Sequence, residues 1–95
     1  MIEIMRFRLA QPADEQAFLA ADRRVQTEFA YRQPGLLRRT VARTWDGEWI
    51  VIDLWQSQQD TDHTALAWED DPVTAEFMSF VDAGTVSVGR YETFD

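Results

Sequence analysis

The chain opens with an alternation of apolar and polar residues. Over residues 2–9, Met5, Phe7 and Leu9 fall on one side of an extended chain and two arginines fall on the other. Because successive side chains of a strand point to opposite faces, this period of two predicts a first β-strand. At the other end of the chain, residues 85–94 are rich in valine, threonine, tyrosine and phenylalanine, which favours a closing strand.

A helical period follows the first strand. Its apolar positions recur every three or four residues, at Phe18, Ala21, Val25 and Phe29. Pro12, followed closely by two acidic residues, predicts the start of this helix, because proline fits the first turn and negative charge there opposes the helix dipole. Pro34-Gly35 predicts its end near residue 32, since proline disfavours helical conformation in the residue before it.

Two further strand-like segments, residues 36–45 and 48–55, flank Asp46-Gly47. This dipeptide suits the positive φ angles of a tight two-residue turn, so the pattern predicts a β-hairpin. A turn of two residues fixes the register of the strands. The expected partners are Thr44 with Trp49, Ala42 with Val51, Thr40 with Asp53 and Arg38 with Trp55.

This register divides the hairpin into two faces of different character. One is a mixed, aromatic face that holds Arg38, Thr40, Trp49, Asp53 and Trp55. The other is aliphatic and holds Leu37, Val41, Ile50, Ile52 and Leu54. Aliphatic sheet faces commonly pack beneath helices. We therefore expect the helices to cover the aliphatic face and the mixed face to line a pocket.

After Trp55 the chain becomes polar and then helical again. Asp60 or Thr61 is the expected N-cap. The apolar positions of this segment are Ala65, Leu66 and Trp68. Asp71-Pro72 predicts a second start, so the region holds two short helices or one broken helix. The order βαββαβ predicts an α+β fold of the ferredoxin-like type, a four-stranded antiparallel sheet with helices on one face.

Length and composition narrow the classes of function. A chain of 95 residues has room for one layered domain over residues 1–95, and so small a core favours association with a partner chain. A net charge of −8 without any lysine argues against nucleic acid as a partner. The absence of cysteine excludes disulfides and thiolate chemistry, and we expect a cytoplasmic location.

The sequence shows no membrane segment and no common cofactor motif. The charged N-terminal residues predict a strand and not a signal peptide, and the longest apolar runs are too short to span a bilayer. Glycine-rich phosphate loops, nucleophile elbows and zinc-binding helix motifs do not occur. We therefore expect no cofactor, no metal and no covalent catalysis.

Several segments share their order and spacing with a known family. They are Arg6-Phe7-Arg8-Leu9, Pro34-Gly35, Leu54-Trp55-Gln56-Ser57, Ala65-Leu66-Ala67-Trp68 and Val73 to Phe80. Taken together they cover nearly the whole chain, and in them it resembles the antibiotic-biosynthesis-monooxygenase-like members of the dimeric α/β-barrel superfamily. The resemblance implies a homodimer in which two four-stranded sheets face each other, with helices outside and a pocket in each subunit.

That family includes oxygenases that use neither flavin nor metal, and also haem-degrading enzymes. The haem-degrading branch uses an asparagine on the first strand, a tryptophan in the second helical region and a histidine ten residues later. Trp68 matches the tryptophan, but Phe7 and Met78 stand at the other two positions and the chain contains no asparagine. The resemblance therefore argues against haem degradation and leaves Phe7 and Trp68 as candidates for the pocket lining.

Asp53 and His63 are the candidate catalytic groups. Asp53 lies diagonal to Arg38 on the mixed face, and a buried carboxylate must be paired, hydrogen-bonded or kept for a task such as general base. The alternative is a structural ion pair of Arg38 with Asp53 at the dimer interface. His63 is the only histidine, a residue type suited to proton transfer near neutral pH, although its acidic neighbours favour an exposed position.

Aromatic and hydroxyl side chains are the candidate ligand contacts. Trp55 and Trp68 offer flat walls for a small apolar or aromatic molecule, with core or dimer packing as the alternative. Tyr91, on the last strand, is placed either to hydrogen-bond a phenol or an oxyanion or to pack in the interface. The other predicted lining residues are Phe7, Arg38, Thr40 and Trp49.

Two functions remain open at this point. One is a cofactor-independent monooxygenase for a small aromatic or polyketide-like compound, in which the deprotonated substrate itself supplies the electrons. Asp53 or His63 is then the base. Arg38 or Tyr91 steadies the anion, and the tryptophans hold the ring. The other function is that of a non-catalytic dimer that binds a small ligand or is purely structural.

Overall fold

Four strands form the sheet: β1 (Ile2–Phe7), β2 (Leu36–Arg43), β3 (Trp49–Trp55) and β4 (Ser87–Tyr91). In the computed structural model, which describes residues 1–95, they are antiparallel and lie in the order β2-β3-β1-β4. The helices are α1 (Glu15–Glu28), α2 (Gln58–Asp70) and α3 (Pro72–Met78), with short 3-10 turns at Ala30–Arg32 and Ala83–Thr85. The predicted βαββαβ order and ferredoxin-like α+β fold are confirmed.

Helix α1 begins later than the sequence pattern predicts. The carboxylate of Asp14 accepts a hydrogen bond from the Ala17 N–H at 3.0 Å and caps the helix, which therefore starts after Pro12 and not at it. It ends at Glu28, and a 3-10 turn carries the chain on to Arg32. With 14 residues α1 is the longest helix. None of the helices has the length and hydropathy that a membrane span requires.

The second helical region consists of two separate helices. Ser57 caps α2, because its hydroxyl accepts the Asp60 N–H at 3.2 Å, so the prediction of Asp60 or Thr61 as the cap is wrong. Asp71 caps α3 by accepting a backbone N–H at 2.8 Å, and Pro72 occupies the first turn as predicted.

The hairpin turn contains three residues, Trp45–Gly47, and not two. The Thr44 N–H donates to the Glu48 carbonyl at 2.8 Å, so these two residues form the last hydrogen-bonded pair before the turn. Gly47 adopts a φ of 98°, which glycine accepts without steric strain. Glycine in this left-handed conformation is the usual last residue of a three-residue hairpin loop. The predicted two-residue turn is therefore wrong.

The longer turn changes every pair across the hairpin. Arg39 lies opposite Asp53, where the shorter turn would place Thr40. A slip of one residue moves each side chain of a strand to the other face of the sheet. Arg39 therefore shares a face with Asp53, whereas Arg38 and Thr40 point away from it.

Helices cover the aromatic face of the sheet and leave the aliphatic face open. The strands contribute Phe7, Trp49 and Val51 to a core shared with α1 and α3. The expectation that the aliphatic set packs beneath the helices is wrong for Ile50, Ile52 and Leu54, which lie between the core positions of β3. It is also wrong for Leu37, which is exposed at a bulge in β2. Val41 alone of this set reaches the covered side, because of the shifted register.

Aromatic rings fill one end of the covered face. Phe7 lies 5.8 Å from Phe18 and 5.7 Å from Phe77 between ring centroids, edge to face. Trp49 packs against Phe18 at 4.9 Å. Edge-to-face contacts of this kind stabilise a core beyond the area they bury. The packed rings leave a cavity at the other end of the same face.

Candidate functional site

A cavity of about 350 Å³ lies between the covered face of the sheet and the helices, at the end away from the hairpin turn. All four strands contribute to one side of it, and α2 and α3 contribute to the other. Twelve of its 19 lining residues are hydrophobic, among them Met5, Phe29, Leu36, Val51, Trp68 and Phe77. Its volume lies in the range of protein cavities that hold small molecules.

Asp53, on β3, places its carboxylate in this cavity. Its side chain is 19% exposed, and its Oδ1 accepts no hydrogen bond. Burial raises the pKa of Asp53 to about 6. The charge of Arg39 opposes this rise in pKa, and the carboxylates of Glu3 and Asp22 add to it. The carboxyl group of Asp53 can therefore exchange a proton close to neutral pH.

Arg39 is held by α1 and not by Asp53. Its Nη2 donates to Oδ1 of Asp22 at 2.6 Å, and its Nη1 donates to Oε1 of Gln26 at 3.5 Å. Its backbone N–H donates to the Tyr31 hydroxyl at 2.8 Å. Its Nε remains 4.0 Å from Oδ1 of Asp53, and its side chain is only 3% exposed. The guanidinium is thus a buried charge whose directly bonded carboxylate is Asp22.

Two more lining residues present polar atoms without partners. Trp55 Nε1 and Thr64 Oγ1 are buried and form no hydrogen bond. Together with Oδ1 of Asp53 they are all the buried side-chain polar atoms of the chain that lack a partner, and all three residues line the cavity. Because proteins rarely leave such atoms unpaired, their presence around one cavity makes it the candidate functional site.

An ion-pair bridge lies along the β4 side of the cavity. Nε of Arg90 donates to Oε2 of Glu3 at 3.0 Å, and its Nη1 donates to Oδ1 of Asp62 at 2.5 Å. The bridge joins β4 to β1 and α2. Arg90 therefore pairs with Glu3 and Asp62, and not with Asp53. No group of histidine or carboxylate side chains in the chain is arranged to hold a metal ion.

A second, more open hollow lies beside the hairpin turn. Four of its five charged residues form ion pairs, Arg8 with Asp46 at 3.5 Å and Arg43 with Glu15 at 2.8 Å. A hydrogen bond from the Thr44 hydroxyl, assisted by Arg8, lowers the pKa of Asp46. No polar side-chain atom here is buried without a partner. The hollow thus lacks the feature that distinguishes the cavity.

Three of the predicted site residues meet around the cavity: Asp53, Trp55 and Trp68. Phe7 and Trp49 lie on the same face of the sheet, but their rings are packed in the core and do not line the cavity. Phe7 packs between the rings of Phe18 and Phe77, and Trp49 packs against Phe18 and borders the hollow beside the hairpin turn.

The other predicted site residues lie elsewhere. Arg38 and Thr40 are on the open face of the sheet. The three-residue turn shifts the register, so Arg39 points to the covered face instead. Tyr91 is also on the open face, since its neighbour Arg90 points to the cavity side. His63 is exposed on α2 and does not line the cavity. The prediction that Arg38 and Asp53 share the mixed face is wrong, because they lie on opposite faces of the sheet.

Most residues of the site were not predicted from the sequence, among them Thr64, Asp22 and Arg39. Thr64 precedes Trp68 by one helical turn, a spacing that places both on one face of α2 and could have identified it. Asp22 interrupts the apolar stripe of α1, and a charge at a core-facing position is a signal as well. Arg39 carries no comparable local signal, because its inward direction depends on the length of a turn.

No family model and no curated protein matches the chain. Solved structures match nearly its whole length. SnoaB, a cofactor-independent oxygenase from Streptomyces nogalater, has a TM-score of 0.77 and 18% identity over 99% of this chain and 92% of its own. A structure described as an antibiotic biosynthesis monooxygenase has a TM-score of 0.75 and 12% identity over 100% of both chains. A candidate antibiotic biosynthesis monooxygenase from Nitrosomonas europaea has a TM-score of 0.73 and 14% identity, over 99% and 98%.

At these levels of identity the similarity is one of fold, and fold alone does not define a reaction. Both chains are covered almost completely in each comparison, so the similarity includes the full βαββαβ arrangement. The chain therefore has the ferredoxin-like α+β fold of the antibiotic biosynthesis monooxygenases.

Proposed function

We propose that the cavity binds a small, largely apolar aromatic compound and that the protein is a cofactor-independent monooxygenase acting on it. The observation that carries this proposal is the carboxylate of Asp53, which lies in a mostly apolar cavity without a hydrogen-bonded cation. Burial raises its pKa to about 6, which suits a general base near neutral pH. The fold shared with SnoaB, described as a cofactor-independent oxygenase, supports this class of reaction.

The proposed reaction begins with transfer of a proton to Asp53. The substrate is an aromatic ketone or phenol with an acidic methylene group, and the carbanion left behind gives electrons to dioxygen. A C–O bond forms, and Asp53 returns its proton to the peroxide. Loss of water then leaves a carbonyl group. One dioxygen is consumed, and its atoms end in the new carbonyl and in one water molecule.

The unpartnered polar atoms are suited to orient the anion. The indole N–H of Trp55 is a donor, and the hydroxyl of Thr64 donates as well. Directed at the oxygen of the substrate anion, they would stabilise its charge as it develops. Trp68 supplies an apolar wall, and its ring is held edge-on by Phe29 at 5.6 Å and Phe77 at 5.8 Å.

We further propose that two copies of the chain pair through the open face of the sheet. Along the two central strands this face presents Ile2, Ile4, Ile50, Ile52 and Leu54. Contiguous apolar surface of this kind commonly marks contact with another molecule. A second copy is the favoured partner, because two facing sheets bury the same residues from both sides and enlarge a small core.

Oxygen uptake with a panel of anthrones, which carry an acidic methylene group, tests the proposed reaction. We expect the wild type to consume oxygen and Asp53→Asn to be slower by about 10²–10⁴-fold, the usual contribution of a general base. Asp70→Asn makes the same chemical change at an exposed position of α2 and should leave the rate unchanged. The wild-type rate should fall below about pH 6, because protonated Asp53 cannot accept a proton.

Full activity in Asp53→Asn would remove Asp53 as the base, and His63→Ala would then test the other candidate. No uptake by the wild type, combined with quenching of its tryptophan fluorescence by the same compounds, would favour a non-catalytic binding protein. If the wild type consumes no oxygen and its fluorescence is not quenched, both proposed uses of the cavity are contradicted.

A further inference from the structure

We propose that Asp22 is a positioning residue: by binding Arg39 it keeps the guanidinium away from Asp53, so that the Asp53 carboxylate stays free to accept a proton. The inference rests on the proposed role of Asp53 as a base. Asp22 lies on α1, outside the cavity, and has no contact with a bound substrate in this proposal. Its charge also acts on Asp53 directly and raises the pKa of that carboxyl, but its positioning effect is exerted through Arg39.

The geometry shows one cation shared unequally between two carboxylates. Asp22 takes the direct bond to Nη2 of Arg39 at 2.6 Å, and Gln26 takes Nη1 at 3.5 Å. Asp53 is left with Nε at 4.0 Å and no hydrogen bond. The side chains of Arg39 and Asp22 are 3% and 9% exposed, so this ion pair is buried.

If Arg39 paired directly with Asp53, the Asp53 carboxylate could no longer serve as a general base. An arginine in direct contact with a carboxylate stabilises the anion and occupies its oxygen atoms. A buried arginine needs a carboxylate partner, because an unpaired charge inside a protein is costly. Asp22 meets that need, and Arg39 still compensates part of the Asp53 charge from a distance.

The other charged groups around Asp53 do not compete for Arg39. On β1, Glu3 is bonded to Arg90 of β4 at 3.0 Å. From α2, Glu69 lines the cavity without an ion pair to Arg39. Besides Asp53, the only side chains that form a hydrogen bond or ion pair with the Arg39 guanidinium are Asp22 and Gln26, both on α1.

Titration of the Asp53 carboxyl carbon by ¹³C NMR in the intact protein tests the role of Asp22. Asp53→Asn identifies the resonance by its loss. In Asp22→Asn, Arg39 has Asp53 as its only nearby carboxylate, so the acid dissociation constant of Asp53 should increase about tenfold or more. Glu76→Gln is the matched control, because it removes another ion pair of α1, with Arg24 at the surface, and should leave the titration unchanged.

A second variant keeps the test decisive if Asp22→Asn does not fold. Asp22→Asn combined with Arg39→Met replaces the buried ion pair by neutral groups, a change that folded proteins often tolerate. Without Arg39, whose charge lowers the pKa of Asp53, this carboxyl should then hold its proton more tightly than in the wild type. The two variants therefore move the titration in opposite directions, which loss of packing alone would not do.

The outcomes separate this inference from the proposed function. A wild-type Asp53 that titrates near the ordinary range of a carboxyl would contradict its role as a base. A wild-type titration near pH 6 that Asp22→Asn leaves unchanged would overturn the role of Asp22 while the base remains. A titration that shifts the same way in the single and double variants would overturn it too.

Discussion

Two aspartates of the β2–β3 hairpin show how far surroundings alter one kind of side chain. Asp46, at the turn, is exposed and accepts a hydrogen bond from the Thr44 hydroxyl, and this bond with the nearby Arg8 lowers its pKa. Asp53 is buried, and desolvation raises its pKa to about 6. The same carboxyl group is therefore an anion throughout the neutral range at one site and a proton acceptor at the other.

The raised pKa of Asp53 predicts that stability depends on pH. A carboxyl with a higher pKa in the folded chain stabilises the fold only while protonated, so its contribution is present below about pH 4 and is lost as the pH rises through about 6. Asp53→Asn lacks this loss. As the pH rises from 4 to 7, the free energy of unfolding of Asp53→Asn should therefore increase by about 2 to 3 kcal/mol relative to that of the wild type.

Urea unfolding at several pH values between these limits measures the difference. Asp70→Asn serves as the exposed counterpart, and its difference from the wild type should stay constant. A constant difference for Asp53→Asn as well would mean that the Asp53 carboxyl is not perturbed by its burial.

At the scale of elements, the length of one turn decides which residues meet across the sheet. An Asp-Gly pair supports a two-residue turn, and equally a three-residue turn that ends in glycine. Here the Thr44 hydroxyl accepts the Glu48 N–H at 2.9 Å and supports the longer turn. As a result Arg39 lies beside Asp53 and Arg38 lies on the open face.

Replacing the glycine of this turn should be costly. Gly47→Ala should lower the free energy of unfolding by about 1 kcal/mol or more, because a φ of 98° strains a residue that has a Cβ. Gly84→Ala is the matched control: Gly84 has no positive φ, and an added Cβ would meet no atom closer than 3.5 Å. Its effect should stay within about 0.5 kcal/mol. Equal losses in urea unfolding would contradict the left-handed conformation of Gly47.

At the scale of the whole molecule, both faces of the sheet carry large apolar residues, although Arg6, Arg38 and Thr40 also lie on the open face. An antiparallel sheet with helices on one side usually carries polar residues on the other. Here the two central strands carry isoleucine and leucine on the side without helices. This departure from the usual alternation is the main support for the proposed dimer.

Light scattering tests the proposed dimer. At micromolar concentration we expect a mass of twice the 11.1 kDa chain for the wild type. Ile52→Glu places a charge in the middle of the open face on both copies and should yield a folded monomer, because burying an unpaired charge is costly. Leu66→Glu alters an apolar residue of α2 that is 70% exposed and should remain a dimer. A monomeric wild type, or a dimeric Ile52→Glu, would contradict the proposal.

Local patterns determined the order of the elements and the fold class. The period of two in the strands, the helical period, and the prolines and glycines between elements each extend over a few residues, so no distant contact is needed to interpret them. Asp53, Trp55 and Trp68 could be selected in the same way, because a charge or a large indole among apolar residues is evident from the sequence. The bounds of helices shifted by a few residues where a different side chain formed the cap.

The tertiary structure decided which face of the sheet became the site. Strand β3 has tryptophans on one face and isoleucines on the other, so its own pattern is consistent with helices on either side. The arrangement of Asp22, Arg39 and Asp53 joins a helix to two strands and depends on one additional residue in a turn. The sequence by itself determined the elements and the groups available for chemistry. Only the tertiary structure decided which groups meet, because register and face follow from contacts between distant segments.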